Sequence, residues 1–206
     1  MNLAPRYWLS AILLAVLAFL PWPASAGMTP EEVKAFEGQK SKAEKGDAAS
    51  QLDLGMRYAN GEGVNRDYQE ALKWCLKSAE QGNPIAQFNV GSMYDNSRPV
   101  LVIHISKKDN AEAIKWYRKA AAQGHIAAQR DLGRILADPS SPHANVVDAY
   151  AWLSIASSNG EEIAKSKLTW LELRIMSPAS ILEGQKRTKE LQKEIEAKIA
   201  SKKASK

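Results

Sequence analysis

This chain is poor in the residues that carry chemistry. Its 206 residues include one cysteine and three histidines, so no internal disulfide can form and no cysteine pair can share a metal. The histidines, His104, His125 and His143, have no second ligand at metal-binding spacing. No glycine-rich phosphate loop follows a strand-like segment, and no serine, histidine and aspartate pattern marks a nucleophile. No catalytic, cofactor-binding or metal residue is assigned, and the expectation is a non-enzymatic protein without a cofactor.

A charge excess is missing from the body of the chain too. Residues 27–185 carry 19 Lys and Arg against 20 Asp and Glu, whereas residues 186–206 carry eight against three. The net charge of +5 therefore belongs to a C-terminal tail. A nucleic-acid binder needs its cations clustered on a structured face, so nucleic acid is not an expected partner. The tail reads first as a solvated helix end, with weak contact to an anionic envelope surface as a second reading. Residues 197–206, rich in Lys and Ser, are expected to be disordered.

Long apolar runs are confined to Tyr7–Leu20, about 14 residues, short of the roughly 20 that span a bilayer. Arg6 precedes the run, Pro21 ends it, and Ala24-Ser25-Ala26 offers a small-x-small cleavage site. Residues 1–26 are read as a cleaved signal peptide. The mature chain is expected to be periplasmic or secreted, without an integral membrane segment.

What the chain has is repetition. Glu44-Lys45-Gly46-Asp47, Glu80-Gln81-Gly82-Asn83, Ala122-Gln123-Gly124-His125 and Ser158-Asn159-Gly160-Glu161 are four versions of one junction, with glycines 36, 42 and 36 residues apart. Gln51/Gln87/Gln129, Gly55/Gly91/Gly133, Ala71/Ala113/Ala149 and Trp74/Trp116/Trp152 keep step. This period is the signature of stacked helix pairs. Each unit reads as a helix A followed by a helix B. Asp47 and Asn83 are N-caps for A helices, Asp67 for the first B helix, and the junction glycines suit the left-handed C′ position. A glycine in mid-helix costs about 1 kcal/mol relative to alanine, so its recurrence at Gly55, Gly91 and Gly133 implies close approach of another helix. Cys75 aligns with Tyr117 and Leu153, which predicts a packed thiol. The fold expected is all-α, a right-handed α/α superhelix of about three helix pairs. Its units are 47–82, 83–124 and 125–160, with capping helices within 30–46 and 161–196. Thr29 and Glu32 form a capping box for the first cap. Glu161 to Arg174, which contains Trp170, reads as a degenerate A helix, and Ser177-Pro178 opens the last helix.

The pattern of Ala48–Gly82, with Gln51, Gly55, Tyr58, Asn60-Gly61, Gly63-Val64, Asp67, Ala71 and Trp74, resembles the Sel-one-like repeat, a relative of the tetratricopeptide repeat. Asn83–Gly124 and His125–Gly160 resemble it more loosely. The resemblance implies an exported bacterial scaffold or adaptor that binds a peptide or another protein on a concave surface lined by the A helices. On those helices the positions opposite the packing face vary between copies: Leu52, Asp53 and Met56, then Phe88, Asn89 and Ser92, then Arg130, Asp131 and Arg134. They read as an apolar half, from Leu52, Met56 and Phe88, and a basic half, from Arg130 and Arg134.

The second unit is six residues longer than the others, by Leu101-Val102-Ile103-His104-Ile105-Ser106. This apolar, β-prone stretch reads either as a cover over a groove or as a contact loop bearing Leu101, Ile103, His104 and Ile105. Two other functions stay open. One is an envelope enzyme, or a receptor for cell-wall fragments or small ligands, acting in the groove. The other is a structural protein that self-assembles through residues 101–106.

Overall fold

The computed structural model describes residues 29–95 and 109–204. The expected signal peptide and the insertion, with Leu101, Ile103, His104 and Ile105, lie outside them. Among the described residues the chain forms nine α-helices and no strand. These are α1 (Pro30–Glu44), α2 (Ala48–Asn60), α3 (Tyr68–Glu80), α4 (Pro84–Tyr94), α5 (Asn110–Ala121), α6 (Ile126–Leu136), α7 (Val146–Ser158), α8 (Glu162–Arg174) and α9 (Pro178–Ala204). From α1 to α8 each helix packs on the next, giving an all-α solenoid.

Local chemistry sets the helix ends. Asp47, Asp67, Asn83, Asp109 and Asn145 each accept a hydrogen bond from a first-turn backbone N–H. Thr29 and Glu32 close the expected capping box. His125 caps α6 through Nδ1, which accepts from Ala128 N at 3.2 Å. At the four junctions Gly46, Gly82, Gly124 and Gly160 take φ from +85° to +98°, a conformation that a side chain would strain.

The recurring rows meet as layers. Trp74, Trp116 and Trp152 are 8%, 5% and 3% exposed. A Cβ added to Gly55 would lie 2.6 Å from Cys75 Sγ and 3.1 Å from the backbone of Ala71 and Cys75. At Gly91 the obstacle is the Tyr117 ring, at 2.6 Å, and at Gly133 it is Leu153, at 2.7 Å. The mid-helix glycines are therefore contact points between A and B helices. Burial pushes the Cys75 thiol up to about 12, so it stays protonated and packs as a small hydrophobe.

A glutamine ladder links consecutive units. Gln51 Nε2 donates to Ala43 O, Gln87 Nε2 to Ala79 O and Gln129 Nε2 to Ala121 O, at 3.0–3.2 Å. Gln51 Oε1 then accepts from Gln81 Nε2 at 2.7 Å, and Gln87 Oε1 from Gln123 Nε2 at 2.8 Å. The third rung fails. Asn159 stands where Gln81 and Gln123 stand, one methylene shorter, and its amide donates to Ile155 O instead. Gln129 Oε1 is left buried without a partner. Asn159→Gln should complete the rung and stabilise the fold by about 1 kcal/mol, read as a higher urea midpoint at unchanged slope. A lower midpoint would mean that the longer side chain does not reach.

The C-terminal helix departs from both the repeat and the expectation of disorder. Residues 197–204 are helical as the end of α9. Ile199 reaches the Gly124 turn, and Lys202 Nζ donates to Gln123 Oε1 at 3.0 Å. Tertiary contact thus orders a stretch whose composition favours solvent. Rather than following α8, α9 packs on α7, with Leu191 and Ile195 buried and Gly184 against the Tyr150 ring. The sequence of α7 shows why. In α3 and α5 the tryptophan is flanked by Lys73 and Lys77, or by Lys115 and Lys119, with Lys77 Nζ 3.9 Å and Lys119 Nζ 4.0 Å from the ring centres. In α7 the same positions are Ala151 and Ile155, both buried. A helix apolar all round needs a neighbour on every side, and α9 supplies the last one.

Candidate functional site

The A helices α2, α4, α6 and α8 present their variable positions on one face. Met56 is 36% exposed and Leu52 and Asp53 are half-buried, with Asp53 paired to Arg57 at 2.8 Å. Asn89 bridges α4 to α2 through Met56 Sδ at 3.2 Å. Phe88 is held between the His125 ring, stacked at 4.7 Å, and the Tyr117 ring at 5.7 Å. Burial and this packing favour neutral imidazole, and the pKa of His125 is lowered.

Two of the expected contact residues are buried. Ser92 is covered by Tyr117, whose Oη lies 3.2 Å from both Ser92 Oγ and Asp95 Oδ2. Asp131 sits under both arginines and is closed to solvent. The basic half is not basic either. Arg130 binds both carboxylate oxygens of Asp131 at 3.1 and 3.0 Å and Glu161 at 3.1 Å. These bonds, the one to Asp131 above all, hold its guanidinium above the ordinary value. Arg134 pairs with the buried Asp95 and lies 3.7 Å from Asp131. Two cations thus face three carboxylates drawn from α6, from the end of α4 and from the start of α8. The network staples three units together rather than offering charge to a ligand.

What remains open lies beside it. A cleft of about 370 Å³ runs between Asp95, Asn110, the Arg134–Pro139 stretch and α8, where Lys167 and Trp170 form one wall. Trp170 is 47% exposed, a large indole half out of the core. Neither Trp170 nor Lys167 was among the sequence-predicted contacts, yet the period points to them. Met56, Ser92, Arg134 and Trp170 occupy one register, 36, 42 and 36 residues apart, and Asn89, Asp131 and Lys167 occupy another. Ile85 and Ile163, 52% and 55% exposed, continue the face at a third register. An indole plate, a lysine and scattered aliphatics are suited to grip an extended polypeptide. Among the described residues no group of three His, Cys, Asp or Glu side chains is arranged to hold a metal.

The Sel1 repeat family model matches residues 48–83, 84–125 and 126–161, more than half of the chain and in the same frame as the helix pairs. The chain belongs to the Sel1 repeat family. The crystal structure of a Sel1 repeat protein from Oxalobacter formigenes is 34% identical, covering 66% of this chain and 98% of that one, with a TM-score of 0.56. The structure of c5321, a protective antigen of uropathogenic Escherichia coli with this fold, is 30% identical, with a TM-score of 0.60. That alignment covers 79% of this chain and 33% of c5321, so the present chain spans about a third of that protein. No curated protein matches the chain at a significant level. Sel1 repeats generally serve as protein–protein interaction scaffolds and are typically not enzymes.

Proposed function

We propose that this Sel1 repeat protein is an exported adaptor of the bacterial envelope that holds a segment of another protein along its A-helix face. One observation carries the reading. The residues that recur between units are consumed by packing, whereas the half-exposed side chains, Met56, Ile85, Ile163, Lys167 and Trp170, share one face, and the registers of Met56/Trp170 and Lys167 differ from copy to copy. A partner is then read by position along the array, with Trp170 as the anchor and the aliphatics as shallower contacts. Export rests on the N-terminal run before Ala24-Ser25-Ala26 and places the adaptor in the periplasm or outside the cell.

Phe88 and Arg134 make poor probes of this face, because both are tied into the core. Met56→Glu combined with Trp170→Glu is the better test. Mature protein starting at Gly27 is used as bait in a periplasmic extract. The double variant should lose the co-purifying partner, about a tenfold or greater drop, with helical CD and melting unchanged. Equal capture by both baits would move the binding surface off the A helices.

A further inference from the structure

The outward side of α5 carries a second surface, on a B helix rather than in the A-helix row. Half-buried Ile114 and Ala122, with exposed Ala111 beside them, line a shallow groove edged by Lys115, Arg118 and Lys119, and α9 brings Lys198 to the opposite rim. The groove continues beneath α9, where Arg118 and Lys198 also border a hollow floored by Trp152 and Leu191. The carboxylates near it are spent at one end. Glu112 holds Lys115 at 3.0 Å, Asp148 takes Arg118 at 3.5 Å and Arg187 at 3.2 Å, and Glu194 lies 3.7 Å from Arg187. Among the described residues Lys119 and Lys198 pair with no carboxylate, and Lys119 sits over the Trp116 ring. Of the basic residues of α9, Lys198 is thus brought to the flank of α5.

We propose that this groove, between α5 and the last turns of α9, docks an acidic peptide segment with apolar side chains interleaved. Charge complementarity selects the acidic residues, because cations line both rims and two of them lack a carboxylate partner. The recessed floor selects the apolar ones. A flat anionic bilayer would meet only the lysine tips and leave Ile114 and Ala122 uncovered, which favours a peptide over lipid. The surface does not depend on the A-helix face, so the chain can hold two segments at once.

The test measures fluorescence anisotropy of a fluorescein-labelled peptide of alternating glutamate and leucine, titrated with the mature chain. Binding should be saturable and should weaken with added salt, as screened charge requires. Lys119→Glu with Lys198→Glu should weaken it about tenfold or more. Both side chains are exposed, so CD should not change, and melting should fall only slightly, by the lost Lys119 contact with the Trp116 ring. If the double variant misfolds, Lys119→Gln with Lys198→Gln is expected to lower affinity in the same direction. A peptide with glutamine in place of glutamate should not bind. Met56→Glu with Trp170→Glu should leave the affinity unchanged, which separates this groove from the A-helix face. Absence of salt-dependent binding, or equal affinity of wild type and the Lys119/Lys198 variant, overturns the proposal. Binding to phosphatidylglycerol vesicles without binding to the peptide also overturns it and assigns the patch to lipid.

Discussion

Trp116→Ala should lower stability by about 3–5 kcal/mol, the usual cost of removing a large buried aromatic and leaving its cavity. The indole is 5% exposed and packs in one cluster with Ala71, Leu72, Cys75, Val90 and Met93. Although it lies on the B helix of the second unit, it thus fills the interface with the first. Lys119 over its ring adds a smaller cation–π contribution, about 0.5–1 kcal/mol. A loss of this size is a large part of the roughly 5–15 kcal/mol that holds a domain folded. Because repeat arrays are stabilised by nearest-neighbour interfaces, the urea transition should also broaden or split as the first unit uncouples from the rest. Trp170→Ala, made in parallel, removes a half-exposed indole and should cost far less. A change below about 1 kcal/mol for Trp116→Ala would show that the tryptophan row is not core.

Ending the chain after Ser177 should be nearly as damaging. It removes Leu191 and Ile195, each worth about 1.5–3 kcal/mol when buried, and bares Tyr150, Trp152 and Ile155 on α7. Loss of about 3–6 kcal/mol is expected, together with association of the exposed apolar faces, visible by light scattering. A rescue sharpens the test. In the truncated chain, Ala151→Lys with Ile155→Lys recreates the lysine-shielded tryptophan of α3 and α5, and should restore monomeric behaviour. Leu182→Ala serves as the control, since Leu182 is 68% exposed although it lies on α9, and should stay within about 0.5 kcal/mol of wild type. A truncated chain that stays monomeric and melts like the full one would mean that α7 does not need its cover.

Much of this architecture can be read along the chain, and the exceptions follow a rule. Asp47, Asp67, Asn83 and Thr29 cap helices where their side-chain chemistry predicts, because a cap is satisfied within three residues of itself. The register of Trp74, Trp116 and Trp152 predicts burial, because a 3.6-residue period and a repeated spacing together fix a face. The inner face was legible only in part. Met56 lies open as expected, whereas Ser92, in the same register, is closed over by Tyr117, and Asp131, in the neighbouring one, by Arg130 and Arg134. The fate of Ser92 depends on a side chain 25 residues away, which no single-helix wheel contains, and that of Asp131 on the rotamers Arg130 and Arg134 take, which a wheel does not fix. Trp170 was within reach of the same offset that aligned the tryptophans, had it been carried into the fourth, degenerate unit.

The sequence alone determined the helix pairs, their caps, the glycine contacts and the Sel1 frame, since each rests on local propensity multiplied by a period. Only the tertiary structure decided that Arg130 and Arg134 are neutralised, that Gln129 Oε1 lacks a partner and that α9 lies along α7 instead of beyond α8. Those outcomes depend on which groups distant segments bring within 3–4 Å of each other. Ion pairing and the burial of an apolar face are settled by that proximity, and spacing along the chain does not encode it.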